Sequence, residues 1–484
     1  MAYRSAAASI RDVLPEIAAP ASVNDVHSQL NPTRVAGVAC PATVGELQDA
    51  VRRARRERLP MSVCGGRHSM GGQQFCSGGL LVDLTSLNRV VELDTARGLI
   101  TVEAGIQWPE LVAHLNWAGA GQPEAWGIAQ KQTGADRMSL GGSLAANIHG
   151  RGLRFKPIVG DVEEFEIVDP SGALVRCSRT VNRELFALAI GGYGLFGPMA
   201  TVTLRLAMRH KVERRVAIGR VDDLPELFDR RLRAGYEYGD FQFATDPQSH
   251  EFLQAGVFSC YRPVDAGAVI PDNQRRLTAR DWRRLLLLAH TNKSRAFAEY
   301  ARHYMSTDGQ VYWSDTHQLA EYLDDYHTDL DRQLAPPAKG SEMISELYVP
   351  RARLPQFMAA VRADAVKFGF DIIYGTIRLI ERDDETVLAW AREPWACVIF
   401  NLHVNHTPHG LAAATDHFRC LIDRAIEHGG SYYLTYHRWA TAEQVRRCHP
   451  RLEEFLERKQ AYDGDGVFQS DWYRHLVNLL EVAS

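Results

Sequence analysis

The chain has 484 residues, 45% hydrophobic and 24% charged, enough for two or three domains around a large core. Its net charge of −4 and the absence of a basic stripe argue against a nucleic-acid binder. Eight cysteines are scattered without a C-x-x-C pair, which fits a thiol-bearing cytoplasmic protein better than a disulfide scaffold.

The N-terminal stretch is interrupted by Arg4, Arg11 and Asp12 and lacks a signal-peptide core. Residues 1–32 are expected to form a helical extension. Val44, Leu47, Val51 and Ala54 recur at helical spacing after Pro41-Ala42-Thr43 and predict a helix within 41–60. A strand at Met61 to Cys64 runs into a glycine turn, and a second strand follows at Leu80 to Leu84. Val90 to Leu93 and Leu99 to Ala104 read as a hairpin, and Trp108 to Trp117 as a helix. Strands at 164–168, with Phe165 and Ile167 on one face, and at 173–177 flank an Asp169-Pro170-Ser171-Gly172 turn. This strand-turn-strand texture predicts an α+β fold without Rossmann-type βαβ alternation. From 209 to 420 long helices (281–305 and 354–368) alternate with strands (344–349 and 396–404), as in a second domain. Leu285 to Ala289 is the best apolar cluster, far short of the ~18 residues of a membrane span, and reads as a buried helix face. A membrane-surface role for this basic helix is the other reading. Residues 421–484 predict a helix, a strand at 432–436 and two closing helices.

Three glycine-rich segments carry the chemistry. In Val63-Cys64-Gly65-Gly66-Arg67-His68-Ser69-Met70-Gly71-Gly72-Gln73 a strand enters a turn whose N–H groups can form a nest for phosphate oxygens. His68 adds a nucleophilic nitrogen at its rim; the alternative is a tight turn in which His68 caps a neighbour. Residues 134–152, from Gly134 through Ser139, Gly141 and Gly142 to Gly152, have small side chains that let a flat ligand lie on the backbone. Gly191 to Gly197 is the third. Three in order are hard to explain as packing.

In these motifs the chain resembles the FAD domain of the vanillyl-alcohol oxidase/p-cresol methylhydroxylase superfamily over residues 33–208. Residues 433–477 are similar to the tail of its sugar- and polyol-oxidising branch, which includes aldonolactone oxidases and decaprenylphosphoryl-ribose oxidase. The resemblance implies an α+β fold: a two-part FAD-binding domain (33–208, with 421–484 returning to it) and an inserted α+β substrate, or cap, domain (209–420). It implies FAD bonded covalently through His68, which would raise the flavin potential. No cysteine stands in the second glycine region, so one link is expected. Gly65, Gly66, Arg67, Ser69, Gln73, Gly134, Ala135, Ser139, Gly141, Gly142, Ser143, Asn147, Gly150, Met199 and Tyr433 are the implied cofactor-binding set.

For catalysis the resemblance singles out Tyr436, His149, Arg378, His403 and His437, and the strand position adds Glu346. Arg378 falls where sugar oxidases place a cation at the flavin; the other reading is a surface strand arginine. Glu346 is either an inward carboxylate or a solvated one. Two departures stand out: Thr376 replaces a glutamate, and Tyr436 stands where ribose-oxidising members have lysine. The expected reaction is hydride removal from a C–OH carbon of an alcohol, polyol, sugar-like or secondary-metabolite substrate, with dioxygen reduced to hydrogen peroxide. Alternatives are a dehydrogenase with another acceptor, C–N oxidation of an amine, and a flavin carrier without turnover. His403, His406 and His409 lack a recognised metal spacing, and no metal is expected. Glu381 to Glu385 reads as a solvated turn. Self-association into a homo-oligomer stays open.

Overall fold

The computed structural model describes residues 20–122, 124–320, 323 and 326–482. Of the helical extension expected over 1–32, residues 1–19 lie outside the described residues and 20–32 hold no helix. The described part forms a strand, Ala21–Val23, paired antiparallel with Thr33–Val35, and the turn between them.

A small sheet begins the glycine-rich half. Leu80–Asp83 lies between Gly37–Ala39 and Met61–Cys64 and is parallel to both. The helix Val44–Arg56 crosses between the outer strands, capped by Thr43, whose side chain accepts from the Glu46 N–H. Its buried stripe is Leu47, Ala50, Val51 and Ala54. The crossover is parallel, with a third strand inserted between its two ends, and the other named sheets are antiparallel. Next comes an antiparallel five-stranded sheet in the order Leu174–Ser178, Val162–Val168, Met199–Arg205, Leu99–Glu103, Val90–Asp94. Phe165 and Ile167 share its buried face.

An eight-stranded antiparallel sheet dominates the rest. Its order is Val311–Trp313, Lys211–Arg220, Ala255–Pro263, Tyr238–Phe243, Ile372–Ile380, Trp395–Asn405, Gly340–Pro350, Ser431–Tyr432. Helices Leu354–Phe368 and Pro408–Glu427 pack on one face. Side chains alternate across a strand, so Glu342, Ile344 and Glu346 share the opposite face. There the register places Glu342 beside His403, Ile344 beside Asn401, and Arg378 beside Cys397.

Three expected elements differ. The helix 281–305 is two helices, Ala279–Thr291 and Lys293–Met305, broken at Asn292, whose side chain caps the second by accepting from Arg295 N–H. The strand 432–436 is reduced to Ser431–Tyr432. Three helices close the chain, not two, and Pro408–Glu427 runs through the expected boundary at 420. The C-terminal segment returns to the first sheet, where Phe468 bridges Met61. All eight cysteines are free. No helix among the described residues is long and apolar enough to cross a membrane.

Candidate active site

A cavity of about 740 Å³ lies between the glycine segments and the eight-stranded sheet, within the ordinary size range of cofactor and ligand sites. Gly65, Gly66, Arg67, His68, Ser69, Gln73, Gly134, Ala135, Ser139, Gly141, Gly142, Met199 and Tyr433 line it. The backbone approach at the first turn requires glycine: a Cβ at Gly66 would lie 2.2 Å from the Arg137 carbonyl oxygen. Buried Lys131 pairs with Asp136 at 2.5 Å and donates to the Gln132 and Gln318 carbonyls, fixing the loop that carries Gly134.

Three expected cofactor residues do not reach the cavity. Ser143 is buried between the Trp108 indole and the Ser139 carbonyl. Asn147 holds a left-handed helix end, donates to Asp383 and accepts from Val159 N–H. Gly150 packs on Lys131, whose carbonyl a Cβ would meet at 2.8 Å. Each shapes the loop whose neighbours Ala145, Ala146 and Ile148 line the cavity. Asp383 is itself buried and also bonds Thr386, so the 381–385 turn is not simply solvated.

His68 is buried beside His27, with Nδ1 and the partner's Nε2 2.7 Å apart. Burial pushes His68 down to about 3 and His27 to about 4, so both rings are neutral near pH 7. Sequence reasoning missed His27: it lies 41 residues away in a stretch without a motif.

At the sheet wall three groups form a chain. Tyr436 donates to Glu346 Oε2 at 3.2 Å, and Glu346 Oε1 lies 2.7 Å from His149 Nε2. Tyr348 donates to the same Oε1. The His149 Nδ1 contact to the Gly150 carbonyl requires an N–H there. The Nε2–carboxylate contact then holds a further, shared proton. Burial opposes ionisation of Glu346, yet His149, the Tyr348 bond and Arg378 hold its carboxyl below the usual range. Burial and the Glu346 charge push the Tyr436 phenol well above its ordinary value. Tyr436 and Arg378 line the cavity; Glu346 and His149 sit behind them. Thr376 also lines it.

Two expected catalytic residues lie elsewhere. His437 is enclosed by Phe418, Tyr432 and Trp439, and burial pushes it down to about 3. His403 sits behind the cavity wall against Glu342. His406 lies beyond the strand end and contacts Ser341, and His409 opens the following helix, so the three histidines do not converge.

The cavity suits a large polar cofactor. Buried polar atoms of Gln74, Gln132, Thr133, Thr376, Asn401 and Arg378, all cavity-lining residues, make no hydrogen bond within the protein. Such atoms are normally satisfied, and a bound polar ligand would supply the missing partners. The glycine turns, the unpaired Arg378 guanidinium and His68 at the wall fit FAD.

Residues 35–178 match the FAD binding domain family. The chain is similar to the uncharacterized oxidoreductase ORF5 in the fasciation locus of Rhodococcoides fascians, 32% identical over 41% of this chain and 43% of that one. It is also similar to L-gulonolactone oxidase of Bos taurus (27%; 43% of this chain, 45% of that one). Cytokinin dehydrogenase 2 of Arabidopsis thaliana is 29% identical over 37% of this chain and 34% of its own. The match spans less than half the length of each of these relatives. The FAD binding domain at 35–178 and these relatives support a place among the FAD-linked oxidoreductases of the vanillyl-alcohol oxidase/p-cresol methylhydroxylase superfamily.

Proposed function

We propose that the chain is an FAD-dependent oxidase acting on a C–OH carbon of an alcohol, polyol or sugar-like substrate. The observation that carries this is the Tyr436–Glu346–His149 chain, with an unpaired Arg378 beside it on one cavity wall. Bound FAD supplies the hydride acceptor, and dioxygen, leaving as hydrogen peroxide, takes the electrons. The Tyr436 oxygen takes the substrate hydroxyl proton while its own proton moves to Glu346 Oε2. His149 positions that carboxylate and balances its charge. Arg378 compensates negative charge developing next to it. His68 is the proposed covalent anchor, and its neutral ring has the lone pair that such a bond requires.

The domain reading extends this: 33–208 with 421–484 as the FAD-binding part, and 209–420 as the cap. The unpaired cysteines favour a reducing, cytoplasmic setting. Amine oxidation is the competing reading, motivated by the cytokinin dehydrogenase match.

The test is acid precipitation of the purified protein followed by a peroxide screen. Flavin retained in the precipitate, and lost from it in His68→Ala, supports the covalent anchor. Peroxide release with alditols or aldonolactones supports C–OH oxidation, and release with amines alone replaces it. Substrate-driven bleaching without peroxide points to another acceptor. Purified protein with no flavin overturns the reading.

A further inference from the structure

We propose that the chain carries a second functional centre, a divalent transition-metal site formed by Glu342, His403 and His290 with His327 beside them. The four come from four separate elements: two neighbouring strands, the end of the Ala279–Thr291 helix, and the Tyr326–Leu334 helix. Glu342 Oε1 lies 3.2 Å from His290 Nε2 and 3.1 Å from His403 Nδ1, and Oε2 lies 2.8 Å from His327 Nδ1. One donor atom from each of His290, Glu342 and His403 falls within 4.8 Å of the others. Ligands at zinc distances in a tetrahedron are roughly 3.3 Å apart, so two of these edges already have coordination length.

Hydrogen bonding accounts for only part of the cluster, the His403 Nδ1 contact with Glu342 Oε1. The side chains of Glu342, His327 and His290 are only 2, 5 and 7% exposed. Nevertheless His290 Nε2, Glu342 Oε2 and His327 Nε2 make no hydrogen bond of acceptable geometry. A cation bound among these groups would satisfy His290 Nε2 and Glu342 Oε2, which are buried without a hydrogen bond. The other constellation of possible ligands, His149, Glu346 and Cys397, is different, because Tyr348 and Tyr436 donate to its carboxylate.

Imidazole with one carboxylate suits Zn²⁺ or a similar borderline ion. The ion would bind the helices to the sheet. Trp282, Leu285, Leu286 and Ala289 of the Ala279–Thr291 helix line the cavity, as do Tyr326 and His327. The centre lies about 13 Å along the strand from Glu346, at four residues of ~3.3 Å each. It therefore acts by holding the cavity roof and not by touching the reacting carbon.

The experiment is metal analysis of the full-length protein as purified, then chelation and readdition of Zn²⁺ or Co²⁺, with Tm and flavin content followed in parallel. The expected result is about one ion per chain, a lower Tm after chelation, and recovery that rises with metal concentration. Bound Co²⁺ should show visible ligand-field bands, and His290→Ala and Glu342→Gln should lose the ion while keeping flavin. A chelated wild-type chain that takes up neither metal overturns the proposal, and this arm needs no variant to fold. Folded variants that retain a full equivalent overturn it as well.

Discussion

Tyr436 lines the cavity, packs its ring on Tyr433 and bonds Glu346 through its hydroxyl. Tyr436→Phe removes that single atom and leaves the packing, so kcat should fall by about 100-fold or more at unchanged flavin content. Stopped-flow reduction by a substrate from the screen measures it, and a loss of flavin instead would assign Tyr436 a structural role. Histidines with depressed pKa make a second prediction. Burial pushes His437 and His449 down to about 3. In the folded chain both are neutral, whereas the unfolded chain binds protons below its ordinary value of about 6.5. Their contribution is therefore complete above about pH 6.5 and lost as pH falls toward 3, by about 1.4 kcal/mol per pH unit for each histidine. Denaturation midpoints should drop across that window, and His437→Gln should make the drop shallower. Motif reading identified the cavity-lining residues His68 and Arg378 because each sits in a recognisable run. It also selected His437, one residue from Tyr436, since adjacency in sequence does not reveal which way a side chain points.

Among elements, the turn after Met61–Cys64 shows how a glycine's role depends on its neighbour. A Cβ at Gly65 would meet the Ser139 hydroxyl at 2.0 Å and the Ser139 Cβ at 2.7 Å, and at Gly66 the Arg137 backbone oxygen at 2.2 Å, so neither can be accommodated without moving the loop that carries its neighbour. Gly65→Ala and Gly66→Ala should therefore each reduce flavin loading, as read from the ratio of flavin to protein absorbance. The helix Val44–Arg56 was legible because its cap and stripe are local. The segment 432–436 was not. Its tyrosines and threonine have strand propensity, but its backbone is used elsewhere. Tyr433 N–H donates to the Glu346 carbonyl, the Thr435 carbonyl accepts from Met70 N–H, and the Leu434 carbonyl accepts from Gln73. These bonds tie the first glycine turn to the C-terminal segment and leave no strand ladder.

Across the whole molecule, the last helix supports the cavity from behind. Trp472, 1% exposed, packs on Tyr193 of the third glycine segment with ring centroids 4.7 Å apart, and Thr435 donates to the Tyr193 hydroxyl. Trp472→Ala should cost about 3–5 kcal/mol, a typical loss for a large buried aromatic. Denaturant titration measures it, and flavin should be released earlier in the titration than from the wild type. The sequence by itself determined the α+β character, the ordered glycine segments and the FAD-binding motifs, because turns, periodicity and motifs are encoded over short runs. Only the tertiary structure decided which side chains meet. His27 joins His68, Glu346 joins His149 and Tyr436, and Glu342 gathers three histidines through contacts spanning 15 to 197 residues. Such pairings arise from sheet register and helix docking, which depend on burial summed over the whole core and leave no pattern in any local window.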